Sequence, residues 1–313
     1  YFWQNWPVDW GAPYDDVDSD GSYDPAIDIP GVPDADQTIW VVANDVPEIV
    51  DDSGNTYDYW SSAPVLYGSN PIGMELQITL WGYRAEQGSP LDNTVFKNIK
   101  VKYTGLVNGP SDATLDDFYL SQWSDPDLGQ WMDDYVGIDV DRSLGFTYNG
   151  NFRDGVFNDI FGMATPAVGY DVLSSPSGGS GATLSSFSYF GAGSAISDPD
   201  LGEYNGTLQF YNLMLGLQPR PEFPNGTPWL DNVTGEPTLF PISGDPVFGT
   251  GDLDGMTLPP GDRRLVMSSG PVSLNLGDEV EMVVSLSGAV GENHLHSLYR
   301  LKKGNRKVQA LFN

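Results

Sequence analysis

The chain has 313 residues, a formal net charge of −29 at pH 7 and no cysteine. Such acidity repels nucleic acid and anionic membrane surfaces, so neither is expected as a partner. The absence of cysteine excludes disulfides, thiolate metal sites and a cysteine nucleophile, and no apolar run approaches the roughly 20 residues of a membrane-spanning helix.

The acidic residues are mostly aspartate, with 34 Asp against 9 Glu. Aspartate favours turns and caps over helices, and its short carboxylate suits the ligation of hard cations from loops. Glycine (37 residues) and proline (24 residues) interrupt the chain every few positions, which leaves little room for long helices. The composition therefore favours short strands joined by loops, and it favours calcium-binding loops over a merely solvated acidic surface.

Strand signals begin after a loop-like segment, residues 1–36, that is rich in Trp, Pro and Asp. Alternating apolar and polar residues, or β-branched and aromatic runs, predict strands over residues 37–42, 74–80, 99–103, 115–123, 144–148, 264–267, 272–276 and 280–286. A Ser/Gly-rich stretch at 174–194 is predicted to be a mobile loop or insertion. The tail 292–313 has apolar residues near helical spacing after a capping residue, Asn293, which predicts a helix.

These elements predict an all-β fold: an antiparallel β-sandwich of jelly-roll-like architecture, with long Asp/Gly/Pro-rich loops and one C-terminal helix. The regular alternation of strands and helices that indicates a parallel sheet does not occur. The expected organisation is a β-sandwich region with calcium loops over 1–173, the loop 174–194, and a second β region over 195–313 that ends in the helix. One continuous sandwich formed by both β regions is the alternative.

The clearest local signal is the loop that runs from Asp16 to Asp24. Counted from Asp16, carboxylates stand at positions 1, 3, 5 and 9, a glycine at 6 and Ser22 at 7, as in the first part of an EF-hand calcium loop. Position 12 holds Ile27 instead of the bidentate glutamate, and prolines stand where a flanking helix would be. The pattern predicts a structural calcium turn that Asp28 or a distant residue closes; an ion-free cluster of Asx turns is the alternative.

A hexapeptide, Ser-Asp-Pro-Asp-Leu-Gly, occurs at 124–129 and again, unchanged, at 197–202. Proline between two aspartates fixes a rigid turn with both carboxylates available. The first copy is followed by aspartates at 133, 134, 139 and 141, enough oxygens for a calcium shell, and the second copy only by Glu203 and Asn205. Both copies are predicted calcium turns, with capped turns without metal as the alternative, and residues 251–255 form a weaker third candidate.

Calcium is therefore the expected cofactor, because every candidate ligand is an oxygen donor from a loop. The predicted ligands are Asp16, Asp18, Asp20, Ser22, Asp24, Asp28, Asp125, Asp127, Asp133, Asp134, Asp139, Asp198 and Asp200.

Several longer motifs are spread along most of the chain's length, namely residues 16–31, 35–40, 44–45, 122–129, 133–134, 260–264 and 267–271. In these motifs the chain resembles large secreted proteins of Bacteroidetes-type bacteria that usually end in a type IX secretion sorting domain. The resemblance implies export and a cell-surface or extracellular location, with the sorting domain removed or omitted, and it implies no catalytic activity. The chain begins at Tyr1 without an initiator methionine, so a processed product or a fragment of a longer precursor is expected.

Signals of an enzyme are few. The two histidines, His294 and His296, are two residues apart in the predicted helix and face different directions, and no nucleophile elbow, zinc-protease motif or phosphate-binding loop occurs. The expected function is that of a non-enzymatic, calcium-stabilised extracellular structural or adhesive surface protein, which forms homo-oligomers or binds other surface proteins. The alternative is a glycan-binding module or a carboxylate-based glycosidase acting on extracellular polysaccharide, which the Trp- and Tyr-rich residues 1–14 invite.

Overall fold

The computed structural model describes residues 3–45, 48–50, 56–58, 69–106, 109–177 and 183–312. The strands are β1 (Tyr14–Asp15), β2 (Ile29–Pro30), β3 (Gln37–Asn44), β4 (Glu48–Val50), β5 (Thr56–Asp58), β6 (Met74–Gly82), β7 (Thr94–Tyr103), β8 (Thr114–Ser124), β9 (Asp134–Asp139), β10 (Leu144–Asn149), β11 (Ala167–Ser174), β12 (Ser186–Gly191), β13 (Trp229–Leu230), β14 (Pro237–Thr238), β15 (Arg263–Asn275) and β16 (Glu279–Ala289). The helices are α1 (Tyr204–Met214) and α2 (His294–Phe312).

Two antiparallel sheets form the body of the protein. The larger has seven strands in the order β3-β6-β7-β16-β11-β10-β9, and the smaller has three in the order β12-β15-β8. Each strand of the small sheet directly follows or precedes a strand of the large one along the chain, in the pairs β7 and β8, β11 and β12, and β15 and β16. Because the chain crosses repeatedly between two facing sheets, the all-β sandwich predicted from the sequence is confirmed.

The main core lies between the two sheets. Along β7, the side chains of Ile99, Val101 and Tyr103 are buried, whereas those of Lys100 and Lys102 reach out to Glu279 on β16 at 3.7 and 3.4 Å. Phe187 and Met267 of the small sheet pack into the same cluster as Met282 of the large sheet. The alternation of apolar residues and lysines in the sequence therefore predicts correctly which side of β7 faces the interior.

Helix α2 covers the outer face of the large sheet, where Leu298 and Leu301 pack against Phe146. It begins where the sequence predicts, because the side-chain oxygen of Asn293 accepts a hydrogen bond from the backbone N–H of His296 at 2.9 Å. The large sheet is thus covered by the small sheet on one face and by α2 on the other. In the parts of the chain that the structure describes, neither helix combines the length and apolarity needed to cross a membrane.

The sequence-based expectation of a loop over 174–194 is wrong for residues 186–191, which form β12 with six buried residues; residues 178–182 lie outside the described part. Three aromatic side chains in this strand, those of Phe187, Tyr189 and Phe190, enter the core. The one serine between them has a partner, since the Ser188 hydroxyl donates to the Leu213 carbonyl at 2.9 Å. Serine content indicated a loop, but a small hydroxyl with a partner is well suited to a buried strand.

Two further expectations need correction. The fold has a second helix, α1, in addition to the C-terminal one, and the strands predicted at 264–267 and 272–276 are one strand, β15, with a register shift between Ser269 and Val272. Gly206 lowers the helix propensity of α1, yet a side chain there would overlap the carbonyl oxygen of Asp200. In β15 the Gly270–Pro271 pair forms a bulge instead of ending the strand.

The N-terminal segment lies along β6 and carries the Asp-rich loop. The Trp6 indole N–H donates to the Pro13 carbonyl at 2.7 Å, and the side-chain amide of the buried Gln77 donates to the Trp10 carbonyl at 3.1 Å. Tyr1 and Phe2, part of the aromatic cluster noted in the sequence, lie outside the described residues. These contacts fix the segment from which the loop after β1 projects.

Candidate metal centres

The Asp-rich loop is closed at its base by a two-stranded ribbon. β1 pairs antiparallel with β2, with Tyr14 opposite Pro30 and Asp15 opposite Ile29. Asp16 and Asp28 therefore face each other one step beyond the ribbon, although twelve positions separate them in sequence. A short paired base of this kind holds the two ends of the loop at a fixed separation.

Three carboxylates meet inside this loop. Asp16, Asp18 and Asp28 each offer an oxygen atom, and these atoms all lie within 4.8 Å of one another. Asp28 is only 1% exposed and accepts hydrogen bonds from the backbone N–H groups of Val17 at 3.0 Å and Asp24 at 2.7 Å. The structure thus brings Asp28, the closing ligand predicted from the sequence, together with Asp16 and Asp18.

The other predicted ligands of this loop make local turns. The Asp20 carboxylate accepts a hydrogen bond from the backbone N–H of Ser22 at 2.7 Å, and the Asp24 carboxylate accepts one from the N–H of Ala26 at 2.8 Å. Asp20, Ser22 and Asp24 are therefore placed outside the group of three converging carboxylates. Such Asx turns shape a loop whether or not an ion is bound.

Desolvation and mutual repulsion both disfavour charged side chains in this loop. Desolvation, followed by repulsion from Asp20, raises the pKa of Asp18, and desolvation together with the neighbouring carboxylates also raises the pKa of the Tyr14 hydroxyl. Hard oxygen donors that repel one another are the donor set that calcium prefers. A cation at this point would relieve the repulsion.

The first hexapeptide copy forms a different kind of cluster. Oxygen atoms of Asp125, Asp127 and Asp262 lie within 4.8 Å of one another, but the Arg264 guanidinium is 3.1 Å from Asp125 and also pairs with Asp262. Burial raises the pKa of Asp125, and the arginine lowers it. A fixed positive charge therefore already offsets part of the acidity that would attract a metal ion.

The second hexapeptide copy is held by ion pairs as well. Asp198 lies 3.5 Å from the same guanidinium, that of Arg264, so both copies meet one arginine. Asp200 lies 2.6 Å from the Arg220 guanidinium and accepts a hydrogen bond from the Gln209 amide at 2.8 Å. The Gln209 hydrogen bond and Arg220 together lower the pKa of Asp200, which is the behaviour of a turn secured by counter-charges.

The aspartates that follow the first copy separate into two environments. Asp139 pairs with Arg142 and lies 3.3 Å from the Lys302 ammonium of α2. Its carboxylate is therefore directed to these cations and not to the first hexapeptide turn. Asp134 points inward instead, where its Oδ2 accepts a hydrogen bond from the Leu128 N–H at 3.0 Å, and Asp133 accepts one from the Asn151 amide at 3.0 Å. The structure therefore does not gather these aspartates with Asp125 into one shell.

The weaker third candidate, residues 251–255, is built into the interior. Asp254 forms a buried pair with Arg263, with Nε to Oδ2 at 2.9 Å and Nη2 to Oδ1 at 3.1 Å. Asp252 accepts hydrogen bonds from the Ile242 N–H at 2.9 Å and the Asn232 amide at 2.6 Å. Both aspartates have structural partners.

The histidines occupy the first turn of α2. His294 is edge-on to Phe152, with ring centroids 6.2 Å apart, and burial lowers its pKa. His296 accepts a hydrogen bond at Nδ1 from the Glu292 N–H at 3.2 Å. His294 therefore packs against a neighbouring ring, and His296 accepts a local hydrogen bond at the start of the helix.

Two site residues were missed in the sequence. Asp262 joins the cluster of the first copy from more than a hundred residues away, and Asp154 lies behind the same turn, where its carboxylate accepts from the Gln130 N–H at 2.7 Å. Each precedes or follows a glycine in a turn-like sequence, which marks a loop but not its neighbours in space. Comparison of the chain with protein-family models and with curated proteins finds no match.

Proposed function

We propose that this chain is a calcium-stabilised structural module of a secreted, extracellular surface protein, with the ion held by Asp16, Asp18 and Asp28. The observation that carries the proposal is the convergence of three carboxylates within 4.8 Å in a loop whose ends are paired by β1 and β2. An all-oxygen donor set of this kind suits calcium, and neighbouring backbone carbonyls and water complete its usual six to eight ligands.

The setting of the site favours a structural over a signalling role. The loop connects two short strands, whereas a calcium sensor needs flanking helices whose angle changes on binding. Asp18 is exposed, Asp16 half-buried and Asp28 buried, so the ion is open to solvent on one side. Open sites in extracellular modules bind calcium with dissociation constants of about 10⁻⁴–10⁻³ M, which extracellular calcium fills.

Binding at such a site raises stability by mass action. At a free calcium concentration about twenty times the dissociation constant, the free energy of unfolding increases by about 2 kcal/mol. The net charge of −29 adds a general reason, because a bound cation reduces the self-repulsion of the folded chain.

The test is thermal unfolding of the full chain in calcium and in chelator. Wild type is expected to melt at a higher temperature in calcium, and Asp18→Asn is expected to show a smaller rise because one converging carboxylate is lost. Asp9→Asn is the matched control, since Asp9 is an exposed aspartate of the same segment outside the cluster. An equal calcium response in Asp18→Asn and wild type would refute the proposed site.

An exposed edge of the large sheet supports the proposed structural or adhesive role. β3 is the outermost strand of the large sheet and, among the described residues, pairs with β6 alone. Ile39 is 51% exposed and Val41 52% exposed on this strand. An edge strand with unpaired backbone groups and apolar side chains recruits partner strands, so we propose β3 as the surface through which copies associate.

A further inference from the structure

A groove of about 790 Å³ lies beside helix α2. It is lined by α2 and by two loops, residues 87–93 before β7 and residues 287–292 at the end of β16. The helix and the first loop approach each other at Gly304, where a Cβ atom would lie 4.0 Å from the Cβ of Pro90. Small-ligand sites typically have volumes of roughly 300–1,000 Å³, so the groove has room for a ligand of several rings.

Three basic side chains line the α2 wall of this groove, those of Arg300, Lys303 and Lys307. Their spacing of three and four residues places them on one face of the helix. All three are exposed, and none takes part in an ion pair among the described residues. By contrast, the neighbouring Lys302 is buried and pairs with two aspartates at 3.3 and 3.0 Å. The groove therefore contains positive charge without a carboxylate partner in the described structure.

Two acids also line the groove, Asp92 and Glu292. The Asp92 carboxylate accepts a hydrogen bond from the Gly88 N–H at 3.2 Å, within its own loop. Three cations against two acids leave the lining with one net positive charge, in a chain whose net charge is −29. The groove is thus locally cationic on an acidic protein, which favours an anionic ligand there.

Arg300 is positioned to bind such a ligand. Its Nη1 donates to the Val290 carbonyl at 2.5 Å, which fixes the guanidinium beside the loop at the end of β16. A guanidinium carries several N–H donors, and this is the one hydrogen bond that the Arg300 side chain makes within the described chain. The remaining donors match the two oxygens of a carboxylate in the paired geometry that arginine favours.

The rest of the lining suits the uncharged part of a saccharide. Tyr299 is 45% exposed and lies beside His296, with ring centroids 6.0 Å apart, and both residues line the groove. An exposed aromatic ring offers an apolar face to the C–H groups of a sugar ring. Gln87 and Asn93 on the loop wall carry amides that donate and accept hydrogen bonds, as sugar hydroxyl groups do.

We propose that this groove binds a short acidic oligosaccharide, whose carboxylates meet Arg300, Lys303 and Lys307 while a sugar ring lies against Tyr299. The net charge of −29 selects a short ligand, because a long polyanion or a second copy of the chain is repelled by the whole molecule. A short ligand interacts mainly with the groove, since charges are screened beyond about 8 Å at physiological ionic strength. The groove shares no residue with the calcium loop, so either proposal can fail without the other.

Calorimetric titration of the full chain with tetragalacturonate tests the proposal. Calcium-free buffer is used so that no ion bridges the saccharide to the protein's aspartates. The methyl-esterified tetrasaccharide is the matched ligand, because it keeps the sugar rings and loses the charges. Wild type is expected to bind the acid, more weakly as salt rises, and to bind the ester at least about tenfold more weakly.

The matched pair of variants is Arg300→Gln and Arg306→Gln. Arg306 is an exposed arginine of the same helix outside the groove lining. We expect Arg300→Gln to weaken binding of the acid by about tenfold or more, and Arg306→Gln to weaken it by less than about twofold. Melting transitions verify that each protein is folded. If Arg300→Gln does not fold, Lys303→Gln serves in its place.

Absence of binding to folded wild type overturns the proposal, as does equal binding of acid and ester. An equal loss in Arg300→Gln and Arg306→Gln also overturns it, because it shows a general attraction to the helix and no defined groove. Self-association in sedimentation that Arg300→Gln abolishes, without saccharide binding, overturns the saccharide and assigns the groove to an acidic segment of a second copy.

Discussion

Asp171 is a buried carboxyl group whose negative charge is expected to lower the free energy of unfolding. It lies on β11, 1% exposed, facing α2, where the Gln309 amide donates to its Oδ1 at 2.9 Å. Burial raises its pKa from 3.8 to about 7, against the lowering effect of Gln309 and Asn305. The Oδ1 of Asn305 is a buried acceptor without a donor in the described structure, so an amide donor at residue 171 would benefit the contact.

The sign and size of the effect follow from this shift. The folded pKa lies above the unfolded one, so between about pH 4 and pH 7 the folded state holds a proton that the unfolded state has released, and stability falls as pH rises through this window. A shift of about 3 units at about 1.4 kcal/mol per unit gives a penalty of up to about 4 kcal/mol above pH 7. Below about pH 4 the penalty vanishes because both states are protonated.

Asp171→Asn removes the charge and supplies an amide donor. We expect the variant to match wild type near pH 4 and to become more stable by about 2–4 kcal/mol at pH 8. Urea unfolding between pH 4 and pH 8.5, in constant chelator, measures the difference, with Asp141→Asn as an exposed control. Parallel pH profiles for Asp171→Asn and wild type would refute the reasoning, as would a variant that is less stable at pH 8.

Two further predictions concern the interior and the sheet edge. Arg263→Met leaves the buried Asp254 carboxylate, now paired at 2.9 Å, without a counter-charge, so the free energy of unfolding in urea is expected to fall by about 3–5 kcal/mol; a loss under about 1 kcal/mol would mean that the pair is not desolvated. Ile39→Lys places a charge on the exposed edge strand β3 and is expected to abolish any concentration-dependent association seen by sedimentation, whereas association that persists in the variant would exclude this edge.

Local patterns in the sequence predict most of the sandwich. Ile99 and Val101 alternate with lysines, and the structure buries the former, because a period of two depends only on neighbours along the strand. β12 and α1 could not be predicted in this way. Ser188 in the one and Gly206 in the other look like loop residues until the Leu213 carbonyl and the Asp200 backbone are placed beside them.

The candidate sites show the same difference between local patterns and contacts made by distant parts of the chain. Asp16, Asp18 and Asp28 come from one short loop, and the loop pattern includes them among its predicted ligands but does not separate them from Asp20, Ser22 and Asp24, which lie outside the converging group. Asp262 and Asp154 approach the first hexapeptide turn only after the sheets have assembled. A sequence pattern shows the ligands that a loop contributes but not the distant arginine or acid that changes the chemistry of that loop.

The positions of β15 and β16 bear on the order in which this protein can fold. They are the last two strands of the chain, yet β16 is the middle strand of the large sheet and β15 the middle strand of the small one. A chain that emerges N-terminus first therefore has β3, β6 and β7 on one side and β9, β10 and β11 on the other, with nothing to join them, until residues beyond 262 arrive. Each sheet then closes around one of these two consecutive strands, so complete pairing of both sheets waits for nearly the whole chain.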